Sequence, residues 1–133
     1  MSIEAYLESL LDAIGAAPMV AVSDVALDKR GPQVGLIRGD IYFVDGSLLH
    51  FRELIDLESA PGRLMYSYHY QRADASLVFR YDDTPHYPEL PNFPHHKHEG
   101  TEQNAARATP PDLAAVLGEI ERLHVVDEEP PGV

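Results

Sequence analysis

The stretch RLMYSYHYQRADASLVFRYDD, residues 63 to 83, alternates between apolar and polar side chains in two arms. Alternation with a period of two is typical of β-strands, and residues 72 to 75 provide the polar turn of a hairpin. The pattern therefore predicts two antiparallel strands joined by a four-residue loop. The apolar positions, which are expected to face the core, are Leu64, Tyr66, Tyr68, Tyr70, Leu77, Phe79 and Tyr81.

The polar face of this hairpin carries side chains suited to chemistry. A four-residue loop places His69 opposite Val78, and His69, Arg80 and Asp82 then share the face that points away from the core. These three residues supply a base, a cation and an acid on one surface. An ion pair between Arg80 and Asp82 is an equally good structural explanation for those two residues.

The rest of the chain completes an α+β pattern. Apolar residues at three- and four-residue spacing predict helices over residues 3–14 and 113–123, with further strands between them. We expect an antiparallel sheet of about five strands with the N- and C-terminal helices packed on one face. Residues 1–126 are expected to form a single domain, followed by a disordered acidic, proline-containing tail over residues 127–133.

The turn at Gly46 fixes the register of the hairpin formed by the strands before and after it, residues 37–43 and 47–55. A two-residue turn would put the apolar faces of its two strands on opposite sides of the sheet. A three-residue loop with Gly46 in the left-handed region pairs Phe43 with Ser47 and aligns those faces. We therefore predict the three-residue loop.

The composition limits the class of protein. The chain has 133 residues, a formal net charge of -12, 44% hydrophobic residues and no cysteine. This predicts a folded protein without disulfides, thiolate metal sites or cysteine nucleophiles. The acidic N-terminus lacks the pattern of a signal peptide, and no apolar run reaches membrane-spanning length. We expect a cytoplasmic protein with no membrane partner.

The distribution of charge leaves room for a local anion site. Proteins that bind nucleic acids without specificity usually carry a broad basic surface, which this acidic chain lacks. Between residues 63 and 107, however, five basic residues nearly offset six acidic ones. An anion could therefore be bound locally in this part of the chain.

The segment PHYPELPNFPHHKHEG, residues 85 to 100, is rich in histidine and proline. Its prolines recur at every third residue, the period of a polyproline II helix, so we predict an extended strap followed by a linker over residues 100–108. The histidines of the strap are His86, His95, His96 and His98. We assign structural roles to His50, in a strand, and His124, near a helix end.

This set of side chains favours chemistry at a phosphate. A metal-independent ribonuclease needs a base for the ribose 2′-hydroxyl, an acid for the leaving 5′-oxygen and cations near the phosphorus. Histidine suits both proton transfers, since its ordinary pKa is about 6.5. We expect no cofactor, with His69 and one strap histidine as base and acid, and Arg80 and Lys97 as cations. The predicted site comprises His69, Arg80, Asp82, His86, His95, His96, Lys97 and His98.

Two other functions stay open. A divalent transition metal could be held by His86, His96 and His98, because alternate residues of an extended segment point the same way. Asp82 could replace His86 in this set, whereas Lys97 in its middle would repel a cation. Alternatively, the strap and the open sheet face form a non-catalytic surface that recognises a partner protein.

The hairpin, the strap and the closing helix together resemble the TumE-like family. The most specific part is R-Y-D-x-x-P-H followed by P-H-H-K-H, here residues 80–86 and 94–98, and YSYHYQ (66–71) matches the family's tyrosine-rich strand. The resemblance implies the toxin of a bacterial or archaeal toxin–antitoxin module, with an antitoxin protein as its partner. By analogy with other small toxins, RNA is the expected substrate. A homodimer is left open.

Overall fold

The computed structural model describes residues 1–59, 62–83, 95–101, 105–107 and 110–127. Within these ranges the chain forms a helix, then seven strands, and then a second helix. The elements are α1 (Ile3–Gly15), β1 (Val20–Lys29), β2 (Val34–Phe43), β3 (Leu48–Asp56), β4 (Arg63–Gln71), β5 (Leu77–Asp82), β6 (His96–Glu99), β7 (Ala105–Arg107) and α2 (Leu113–Asp127). The predicted site residue His86 and residues 128–133 of the predicted tail lie outside the described residues.

The described strands form one sheet in which each strand pairs antiparallel with the next one along the chain. Both helices contact the same face of this sheet. Tyr6 of α1 donates a hydrogen bond to Glu53, and Tyr81 of the sheet donates one to Glu119 of α2. We call this side the helix face and the opposite side the open face. The predicted α+β class, with the terminal helices on one face, is confirmed.

Two short strands lie in the described parts of the predicted strap and linker, whereas the strap's four prolines lie outside the described residues. β6 pairs with β5, so that His96 lies opposite Asp82, and β7 pairs in turn with β6. β6 contains no proline, and all of its N–H groups are therefore available to a ladder. Pairing also satisfies the backbone groups that β5 would otherwise expose at a sheet edge.

The register of the β4–β5 hairpin differs from the prediction. The predicted four-residue loop is wrong, because the Arg72 N–H donates to the Ser76 carbonyl at 2.9 Å and leaves a three-residue loop. Together with a bulge after Tyr70, this places His69 opposite Arg80 rather than Val78. The turn places Ala75 in the left-handed region, with φ of 71°, which its residue type does not suggest. The two pairings differ by two residues, and a displacement of two leaves each side chain on its predicted face.

The β2–β3 turn is the predicted three-residue loop. Gly46 has φ of 85°, and the Phe43 N–H donates to the Ser47 carbonyl at 3.0 Å. In this register the odd-numbered residues of both strands lie on the helix face, and they include the buried Ile41 and Leu49. The even-numbered residues lie on the open face.

The helix face encloses a buried carboxylate. Glu53 has no exposed surface, and it accepts hydrogen bonds from the hydroxyls of Tyr6 and Tyr68. Burial raises the pKa of Glu53 above its ordinary value of 4.5, although both hydroxyls act in the opposite direction.

Replacing Glu53 with glutamine should change how stability depends on pH. A carboxyl with a raised pKa in the folded state imposes no charge-burial cost below pH 4.5. The cost grows as pH rises through the raised pKa and is then constant. The free energy of unfolding of Glu53→Gln, minus that of the wild type, is therefore expected to increase with pH above 4.5. Urea unfolding at several pH values measures this difference, and a difference independent of pH would show that burial does not govern Glu53.

Candidate active site

Two neighbouring rows of polar side chains cross the open face. Residues paired directly across adjacent strands lie on the same face of a sheet, so the register defines each row. The first row consists of Asp40, His50, His69, Arg80 and His98. The second row consists of Arg38, Arg52, Ser67, Asp82 and His96.

The first row is accessible where it crosses β2, β3 and β4. His50 Nδ1 contacts Asp40 Oδ1, and the two side chains are 48% and 41% exposed. The rings of His50 and His69 have centroids 6.2 Å apart and are tilted by 47°. A carboxylate-bound imidazole and a second imidazole therefore adjoin each other on a surface that a large substrate can reach.

A depression of about 460 Å³ lies beside this Asp–His pair. Arg38 and Arg52 of the second row lie directly opposite each other at its wall, and both are exposed. The residues that line the depression are Asp24, Ala26, Arg38, Gly39, Asp40, His50, Phe51 and Arg52. Guanidinium groups match the geometry of phosphate oxygens, so this part of the open face is suited to an anion.

The opposite end of the two rows is buried. Asp82, His96 and His98 are 3%, 2% and 4% exposed. Asp82 Oδ2 lies 2.8 Å from Arg80 Nε, and Asp82 Oδ1 lies 2.7 Å from His96 Nε2. The ion pair considered for Arg80 and Asp82 is thus present. The rings of His96 and His98 meet edge to face with centroids 4.8 Å apart.

Two residues of the predicted site lie on the helix face instead. Lys97 Nζ lies 2.9 Å from Glu119 and 2.8 Å from Glu99. Burial lowers the pKa of Lys97, but hydrogen bonds to these carboxylates outweigh burial and raise the pKa above its ordinary value. His95 stacks on Tyr66, and its Nδ1 lies 2.9 Å from the tyrosine hydroxyl. The structure therefore separates Lys97 and His95 from the other predicted site residues that it describes, namely His69, Arg80, Asp82, His96 and His98.

Four candidate functional residues of the open face were not among the predicted site residues, namely Arg38, Asp40, His50 and Arg52. From the sequence, His50 is assigned a structural role, and the others are assigned no role. The sequence does contain a signal for the contact between Asp40 and His50, because the predicted three-residue loop at Gly46 places these two residues opposite each other. His124 does have a structural environment, since it is buried and its Nδ1 lies 3.0 Å from the Ile120 carbonyl.

The fold and this surface define a small α+β domain with one face packed in the core and one face of ionisable side chains. The chain belongs to the TumE toxin family, because the family model described as Toxin TumE matches residues 8–125. Membership supports a toxin role and confirms the resemblance seen in the sequence. Searches of curated proteins and of solved structures found no match. In the described part of the chain, no helix is long and apolar enough to cross a membrane.

Proposed function

We propose that this toxin cleaves RNA without a metal ion, using His50 and His69 of the open face as its acid–base pair. The single observation that carries the proposal is the accessible contact of Asp40, His50 and His69 in one cross-strand row. A cognate antitoxin protein would control the activity, as the family assignment supports. The cytoplasm, where RNA is available, is the proposed location.

Cleavage at a ribose requires two proton transfers at one phosphodiester. A base removes the proton of the 2′-hydroxyl as its oxygen attacks phosphorus, and an acid protonates the departing 5′-oxygen. The products are a 2′,3′-cyclic phosphate and a free 5′-hydroxyl. With ring centroids 6.2 Å apart, His50 and His69 can both reach oxygens bound to one phosphorus atom.

The contact with Asp40 distinguishes His50 from His69 and suggests a different role for each histidine. A carboxylate that accepts the Nδ1 hydrogen of His50 fixes the ring and leaves Nε2 as the basic atom. We therefore assign His50 as the base and a protonated His69 as the acid. His69 lies directly opposite Arg80 on the next strand, and this cation adjoins the leaving-group side.

The arginines of the open face supply the positive charge, part of which was predicted to come from Lys97. Arg38 and Arg52 line the depression beside His50, and Arg80 lies on the far side of His69. Positioned cations stabilise the charge that develops on the phosphate oxygens in the transition state. They also give an acidic protein a local surface for a polyanion.

The test uses purified protein, a labelled RNA oligonucleotide and DNA of the same sequence, all in excess EDTA. We expect cleavage of the RNA to 2′,3′-cyclic phosphate ends and no cleavage of the DNA, which lacks the attacking hydroxyl. Protein carrying His69→Gln, purified by the same route, controls for contaminating nucleases. Intact RNA beside a wild-type protein that still arrests growth would instead favour the non-catalytic partner-binding alternative.

A further inference from the structure

We propose that Asp82, His96 and His98 form a binding site for one divalent transition-metal ion such as zinc. Asp82 and His96 face each other across β5 and β6, and His98 lies two residues farther along the same strand and face. One nitrogen or oxygen atom from each residue lies within 4.8 Å of the other two. The geometry gathers three potential ligands around one point.

The chemistry of the three donors suits zinc. Imidazole nitrogen and carboxylate oxygen are both common zinc ligands, at about 2.0–2.2 Å. Ligand atoms around a tetrahedral ion at these distances are roughly 3.3 Å apart. His96 Nε2 and Asp82 Oδ1 are 2.7 Å apart, and the three ligand atoms all lie within 4.8 Å of one another, so the separations in the cluster span the value that a tetrahedral ion needs. Three protein ligands leave a fourth position for water or a further group.

The three candidate ligands are buried, and burial favours arrangements in which their charges are compensated. None of the three side chains is more than 4% exposed, although each can carry a charge. Ionisable groups removed from water are costly unless they are paired or coordinate a metal. Asp82 is already paired with Arg80 and His96, and a bound cation would add a coordinating partner for the buried carboxylate and both imidazoles.

The neighbours of the cluster fit a ligand set. Arg80 Nε holds the second oxygen of Asp82 at 2.8 Å, which fixes the orientation of the carboxylate. Lys97, which the sequence predicted would repel a cation here, lies on the helix face with Glu99 and Glu119. Its ammonium group therefore does not point into the site.

The metal site does not depend on the proposed ribonuclease chemistry. Its residues occupy β5 and β6, whereas the proposed base His50 and acid His69 lie on β3 and β4. Loss of zinc binding would leave the cleavage assay in EDTA unaffected. A failure of cleavage would likewise leave the binding result intact.

The experiment is zinc titration of the untagged protein by calorimetry, with cobalt substitution as a spectroscopic check. We expect one zinc per chain that survives dialysis, tetrahedral cobalt absorption and an increase in melting temperature with zinc. The His96→Gln/His98→Gln protein should lose all three. The matched His50→Gln/His69→Gln protein, which lacks two histidines of the same face, should keep them.

Several results would overturn the proposal. Wild-type protein that takes up no stoichiometric zinc contradicts it without reference to any variant. Equal zinc binding by folded His96→Gln/His98→Gln protein would show that the ion binds elsewhere. If that double variant does not fold, Asp82→Asn removes the charged ligand with little change in shape, and undiminished zinc binding by this variant would also contradict the site.

Discussion

Protein carrying His50→Gln is expected to cleave RNA about 100-fold more slowly than the wild type, or slower still. A positioned general base typically contributes 10²- to 10⁴-fold to a rate, and glutamine keeps a similar size while lacking a titratable nitrogen. The variant should also remain folded, because His50 is nearly half exposed and, among the residues that the structure describes, Asp40 alone contacts it through a side-chain hydrogen bond. Initial cleavage rates under single-turnover conditions measure the effect.

Further variants distinguish a loss of catalysis from a loss of folding. His69→Gln should produce a loss similar to that of His50→Gln, and the double variant should be little worse, because residues that act as a unit are not additive. Asp40→Asn should have a smaller effect, since it only orients the base. His95→Gln, on the helix face, should cleave at the wild-type rate. A folded His50→Gln protein with wild-type activity would remove His50 from the mechanism.

Phe51→Ala is expected to lower the free energy of unfolding by about 3–5 kcal/mol, the usual range for removing a buried phenylalanine. Phe51 is 1% exposed and lies in the central part of β3, between Gly39 on one side and Tyr68 on the other. Small domains are stable by only about 5–15 kcal/mol, so the loss would be a large fraction of the total. Urea unfolding gives the difference directly, and Val22→Ala on the exposed part of β1 is the control.

The contact between Phe51 and Gly39 allows a sharper form of this test. A Cβ atom at position 39 would lie 2.3 Å from the Phe51 ring, so Gly39→Ala should destabilise the wild type by overpacking. In the Phe51→Ala background the added methyl group no longer meets the Phe51 ring, and the same substitution should be nearly neutral or stabilising. Additive effects of the two changes would contradict the close packing seen at this position.

The sequence predicted the faces of the sheet better than its pairing. Alternation alone places His69, Arg80 and Asp82 opposite the tyrosines, since face depends only on whether a position is odd or even. The exact partner of His69 depends on a bulge and on Ala75 in the left-handed region, neither of which has a clear composition signal. A displacement of two residues therefore cannot be detected from the apolar–polar alternation, and it does not change the face on which each side chain lies.

The candidate site was predicted less completely than the fold. Alternation along β6 places Lys97 and His98 on opposite faces, but the prediction of a polyproline-like strap assigned its histidines and Lys97 to one site. The approach of His50 to His69 depends on the pairing of β3 with β4 across the connection between residues 56 and 63. Contacts of this kind are set by tertiary pairing, and local patterns do not report them.

The most direct measurement is growth after induced expression, with total RNA profiled at early times. It compares wild type with two folded double variants, His50→Gln/His69→Gln on the open face and His95→Gln/Lys97→Gln on the helix face. We predict arrest and RNA fragmentation with the wild type and with the helix-face variant, and neither effect with the open-face variant. Arrest and fragmentation by the open-face variant at the wild-type level would contradict the central claim that His50 and His69 are the reacting pair.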